Sequence, residues 1–215
     1  MRKQQLYSLS RKDYRLPAFL DGNHRVITQP ANSIPMISWP DGRWCLDANV
    51  YMLELYERGL SRKFGGGTLK SYAANLSHLT RWCYHNRTNF IDLADSQFSL
   101  FIKGLMGETH PKKPDVRVRN ANAVLAIGRN CLDFLACVGK FHDQPNLIGK
   151  QGRIRAEQHE FEIKIEGRSH KKPLVRKYWH HRSFPTPDAK VKRLPISNST
   201  IKQLRQAVSE IDSSF

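Results

Sequence analysis

Between Asp47 and Val138 the apolar residues recur every three or four positions, a spacing that only an α-helix gathers onto one face. This periodicity constrains the fold more than any other feature of the chain. After Asp47 or Asn49 as a cap, Val50, Leu53 and residues 56–60 predict a first helix that loosens at Gly59 and Ser61. The triple glycine Gly65-Gly66-Gly67 comes next, with Thr68 as the N-cap candidate of a longer second helix. Leu69, Tyr72, Ala73, Leu76, Leu79 and Cys83 form its stripe, opposite Lys70, Ser71, Asn75, His78 and Arg81. Asp95-Ser96 precedes a third helix with Phe98, Phe101, Ile102 and Leu105 on one side, stopped by Gly107 and a loop to Pro114. A fourth starts near Asn120, carries Val124, Ile127, Cys131, Phe134, Leu135 and Val138, and ends at Gly139 before Pro145. Four amphipathic helices with short links predict a compact all-α domain.

The flanks read differently. Pro17, Pro30, Pro35 and Pro40 break residues 1–45 into an irregular arm with short apolar runs at Val26-Ile27 and at Ile34, Met36 and Ile37. Trp39-Pro40-Asp41-Gly42 predicts a turn, and burial of Trp39 and Trp44 predicts an arm laid on the helices. Beyond Pro145, Arg153-Ile154-Arg155 and residues 161–165 alternate as strands do and predict a short hairpin. Pro185, Pro187 and Pro195 mark a linker before a last amphipathic helix with Ile201, Leu204, Val208 and Ile211. The division expected is an arm (1–45), a helical domain (46–145), a basic insertion and linker (146–195) and a terminal helix (196–215).

Charge indicates the partner. Thirty-five Lys and Arg against nineteen Asp and Glu leave a net charge of +16, and a surplus of that size implies a polyanion, nucleic acid first. Residues 150–193 hold thirteen of the cations against five acids. No stretch approaches 18 uninterrupted apolar residues, and the start lacks a signal-peptide core, which predicts a cytoplasmic protein, nucleoid-associated when bound to DNA, with no membrane partner. Cys45, Cys83, Cys131 and Cys137 form no Cys-x-x-Cys pair, and three of them sit in helical stripes as small buried hydrophobes.

Glycines before helix two leave its first N–H groups open beside Arg62, Lys63 and Lys70, so this turn is a candidate phosphate cradle. It is not a nucleotide P-loop, because Gly-x-x-x-x-Gly-Lys-Ser/Thr is absent. His78-x-x-Arg81 could clamp a phosphoryl oxygen, but an exposed helix face on nucleic-acid backbone is the stronger reading. His180-His181-Arg182 reads as a basic patch, since adjacent histidines project apart. Arg117, Arg119, Asn120, Asn122 and Arg129 surround helix four; arginine and asparagine pair with guanine and adenine edges, while capping by Asn120 and plain solvation explain the same residues.

These residues resemble the tyrosine recombinases, or phage integrases, in their N-terminal core-binding domain. The resemblance rests on Asn49-Val50-Tyr51-Met52-Leu53, on 68–76 continuing to Leu79-Thr80-Arg81-Trp82, on Phe134-Leu135, and on Arg193-Leu194-Pro195-Ile196-Ser197 through Leu204. It spans about residues 46 to 212. It implies a mainly α, four-helix SAM-like bundle, with helices two and four against double-stranded DNA and the start of a catalytic domain after the linker. The implied DNA-binding set is Arg62, Lys63, Thr68, Lys70, Ser71, Asn75, His78, Arg81, Arg117, Arg119, Asn120, Asn122 and Arg129, with Lys190, Lys192 and Arg193 from the linker. The family's catalytic arginine, lysine, His-x-x-Arg and tyrosine fall beyond the first catalytic helix, so no catalytic residue, cofactor or metal ligand is carried over. The expectation is the DNA-binding portion of a site-specific recombinase, truncated before its catalytic residues, which binds without cutting, takes no small-molecule substrate and meets further protomers on DNA. Two other classes fit the composition: a complete nucleic-acid-binding accessory or regulatory protein, and a basic RNA- or ribosome-associated protein.

Overall fold

The computed structural model describes residues 4–163, 174–189, 197, 199–203 and 205–206. In chain order, β1 (Tyr7–Leu9), β2 (Arg15–Leu20), β3 (Val26–Pro30) and β4 (Pro35–Ile37) precede α1 (Leu46–Glu57) and α2 (Lys63–His85). A 3-10 turn at Phe90–Asp92 leads to α3 (Asp95–Gly107), β5 (Thr109–His110), β6 (Lys113–Arg117) and α4 (Ala121–Phe141). Then follow β7 (Ile148–Gly149), β8 (Ile154–Ile163) and β9 (Leu174–His181). The strands form four small sheets among the described residues: β1 with β4, β2 with β3, β5 with β6, and β7-β8-β9 with β7 parallel to β8.

The described residues are thus mixed α/β, 45% helical and 23% strand, and the expected mainly α SAM-like bundle is overturned. The helices lie near their predicted places, but the flanks between and around them are built in as sheet. Tyr7↔Ile37 and Leu9↔Pro35 pair the two ends of the arm, which bury Leu6, Ala31, Ile34 and Ile37 against α1 and α2. Short strands draw on backbone pairing across the chain, and that leaves little trace in local periodicity.

At the centre is α4, whose apolar stripe is buried from Val124 to Val138 as predicted. By length and composition α4 could cross a membrane, yet ten of its residues are buried among α1, α2, α3 and β9. Asn120 caps it, accepting the Ala123 N–H at 2.8 Å. The stripe of α2 is likewise buried at Leu69, Ala73, Leu76, Leu79 and Cys83, and that of α3 at Phe98, Phe101, Ile102 and Leu105.

The stripe of α1 is rotated from the expected one. Its buried residues are Ala48, Tyr51, Met52 and Leu55, while Leu53 is exposed. Neither Asp47 nor Asn49 caps it: Asn49 lies one turn inside, accepting the Ile37 N–H and donating to the Ile37 carbonyl, both at 2.7 Å. Asp47 instead meets His142 Nε2 at 2.8 Å, joining the start of α1 to the end of α4. The turn at residues 39–42 forms as expected, closed by the Gly42 N–H on the Trp39 carbonyl, with Gly42 at φ +86°. Trp39 stacks on Phe90 at 5.0 Å, but Trp44 stays 55% exposed, contrary to the expectation that both tryptophans are covered.

Candidate nucleic-acid interface

Helix α2 begins at Lys63, so Thr68 is inside it and is not its N-cap. Gly65, Gly66 and Gly67 all have positive φ, and a Cβ on Gly67 would lie 2.4 Å from the Ser61 carbonyl oxygen. The triple glycine therefore serves a close approach of the chain to itself. Two of the N–H groups expected to await a phosphate are already used: Gly66 donates to the Arg62 carbonyl at 3.1 Å and Leu69 to the Ser61 carbonyl at 3.3 Å. Arg62 faces the arm, donating to the Asn32 carbonyl at 2.8 Å with its guanidinium 4.7 Å from the Tyr56 ring centre.

The polar face of α2 divides in two. Thr68, Lys70 and Ser71 are exposed, whereas Asn75, His78 and Arg81 are half-buried. Arg81 donates to the Ser77 carbonyl at 3.0 Å and to the Gln4 carbonyl at 2.6 Å, and burial lowers its pKa despite the attraction of Glu108. His78 is engaged within the fold.

The residues proposed to read bases at the start of α4 are held internally. Arg119 pairs with Glu108 at 2.5 Å, Asn120 caps the helix, and the Asn122 amide donates to the Asp188 carbonyl at 3.2 Å. The Asp188 carboxylate itself accepts the Ala121 N–H at 2.9 Å, the position a bound anion would take. Arg129 lies beneath β9, its guanidinium 4.4 Å from the Tyr178 ring centre. Of this group only Arg117 and Asn120 are exposed. Lys190, Lys192 and Arg193 fall outside the described residues, as do Lys164, Arg168, Lys171 and Lys172 of the basic insertion.

The expected hairpin is present, with β8 and β9 antiparallel and Ala156 opposite His181, although its second strand starts at Leu174 rather than near Phe161. Its described base is partly neutralised, because Lys177 meets Glu160 at 3.0 Å and Arg182 meets Asp95 at 2.5 Å. His181 is buried, which corrects its reading as part of a surface patch. Its Nδ1 accepts the Ser183 N–H at 3.2 Å, so Nε2 carries the hydrogen and donates to Asp95 Oδ1 at 2.9 Å. Asp95 also accepts the Arg155 N–H at 2.9 Å and so latches the hairpin to the first turn of α3. Among the described residues no group of three or more His, Cys, Asp or Glu is arranged to hold a metal ion. The four cysteines are free; burial pushes the Cys45, Cys83 and Cys137 thiols up to about 12 and so suppresses the reactive thiolate.

What remains on the surface keeps Lys63, Lys70 and Arg117 of the foreseen set and adds Lys112 and Lys113. Lys63, Lys70, Lys112, Lys113 and Arg117 are exposed and form no ion pair among the described residues. Lys112 and Lys113 were missed because residues 108–114 read as a loop. The signal was there: from Lys113 to Arg119 charged residues alternate with Pro114, Val116 and Val118, the period of a strand. Comparison with known proteins adds nothing to this surface: no family model, curated protein or solved structure matches the chain.

One half-buried carboxyl on α4 carries a pH prediction. Asp133 on α4 is pushed up to about 6 by burial, against the Arg58 charge and a bond from Trp179 of β9. Between its ordinary value of 3.8 and about 6 the folded chain keeps a proton the unfolded chain releases, so stability falls as pH rises through that window. Asp133→Asn keeps an acceptor for Trp179 and removes the charge. Urea unfolding at pH 7 should show the variant more stable by about 1–3 kcal/mol, with little difference near pH 4. A loss of stability at pH 7 would show that the ionised form is preferred.

Proposed function

We propose that this chain binds duplex DNA and is the DNA-binding part of a tyrosine-type site-specific recombinase. The observation that carries DNA binding is the surplus of cations the fold does not neutralise: a net charge of +16, with Lys63, Lys70, Lys112, Lys113 and Arg117 left exposed and without ion pairs among the described residues. The recombinase assignment rests on the residue resemblance in α1, α2 and α4 and assigns this chain no catalytic residue. Arg81, Arg119, Asn120, Asn122 and Arg129 are placed in a supporting role, since each is held by a neighbour within the fold.

Five exposed cations that each neutralise one phosphate give a plot of log K against log salt with a slope of about −4.5. Titration of a fluorescent duplex over a range of salt concentrations measures it. A flat response, or tighter binding to single-stranded RNA than to duplex DNA, would reject the proposal in favour of an RNA-associated protein.

A further inference from the structure

We propose that the β5–β6 ribbon is the part of this chain that enters a groove of duplex DNA, with its cations on the phosphate walls and its valines toward the base edges. This rests on the DNA-binding reading above and names the element that performs it. All ten residues from Thr109 to Val118 are exposed, so the ribbon stands away from the core on both faces. Its two strands are joined by His110↔Lys113 and Thr109↔Arg117, and the irregular register between these pairs twists it. Hydrogen bonds within the chain close the ribbon at both ends. At the tip the Lys112 N–H donates to His110 Nδ1 at 3.2 Å, and at the base the Val118 N–H donates to the Glu108 carbonyl at 2.9 Å. The Arg119–Glu108 ion pair, with the Arg119 side chain 11% exposed, fixes the same base, which makes Arg119 a positioning residue.

Alternation along β6 sorts its side chains. Lys113, Asp115 and Arg117 project to one side, Pro114 and Val116 to the other. With Lys112 in the turn, three lysines and arginines face one acid, and nothing in the described structure neutralises them. Val116 is 51% exposed and Val118 43%, so the core does not explain the apolar side. A two-stranded ribbon has the width of the major groove, where apolar side chains meet thymine methyl groups and cations meet the flanking phosphates. The β2–β3 ribbon packs Leu16 against the core and carries Phe19, Leu20, Val26 and Ile27 on its outer end, with Arg25 as the one cation of its turn.

The test compares the wild-type chain, K112A/K113A/R117A and Val116→Ser on one fluorescent duplex over a range of salt concentrations. All four positions are exposed, so melting temperatures should coincide and separate binding from folding. The triple variant should show a slope less steep by about 3 and bind at least ~10-fold more weakly at low salt. Val116→Ser should weaken binding at an unchanged slope, because it alters only the contact inside the groove. A wild-type chain without salt-dependent duplex binding would reject the DNA-binding reading itself. Steep wild-type binding with an unchanged slope in the triple variant would reject the ribbon alone. Full affinity in Val116→Ser would place the ribbon on the outer backbone and overturn its assignment to a groove.

Discussion

Phe134→Ala should lower the free energy of unfolding by about 3–5 kcal/mol, the range for removing a buried aromatic ring. Phe134 is fully buried on α4, edge-on to Phe90 at 4.9 Å and 5.6 Å from Tyr51 of α1. Phe90 in turn stacks on Trp39, so one ring supports α1, the turn after α2 and the end of the arm together. The cavity left behind cannot collapse without moving all three, which places the cost at the upper part of the range. Urea unfolding at neutral pH measures it. A loss under about 1 kcal/mol would show that the core repacks and that α4 is not its centre.

Asp95→Ala should cost about 1–3 kcal/mol, because it strips the buried His181 imidazole of its acceptor. His181 Nε2 and the Arg155 N–H would lose their partner together, and both belong to the β8–β9 hairpin. Hydrogen exchange should therefore accelerate in β8 and β9 while the α2 and α4 amides stay protected. Equal acceleration everywhere would mean that the hairpin and the helices unfold as one unit. Burial raises the Asp95 pKa, but the His181 bond, the Arg155 N–H and the Arg182 guanidinium outweigh it and leave the carboxyl below its ordinary value of 3.8. The sign is opposite to that of Asp133. Asp95 contributes its stability above the ordinary carboxylate range and loses it as pH falls through its lowered folded value. Acid should release the hairpin in the wild-type chain, and Asp95→Ala should lack that step.

The helices were legible in the sequence because each writes its buried face into its own residues. The stripes of α2, α3 and α4, the Asn120 cap and the turn at residues 39–42 depend on local spacing and on turn chemistry, and all are found where the periodicity puts them. The charge surplus was legible for the same reason, since it is a sum over residue types. Only the tertiary structure decided which polar residues remain available to a partner. Arg81 meets Gln4, Asn122 meets Asp188 and Asp95 meets His181 across separations of 77, 66 and 86 residues, and no local pattern encodes such pairs. The same holds for the class of the fold. Strands such as β1 and β4 are three residues long and exist because distant backbone groups pair, so their stability lies in the partner strand and not in their own side chains.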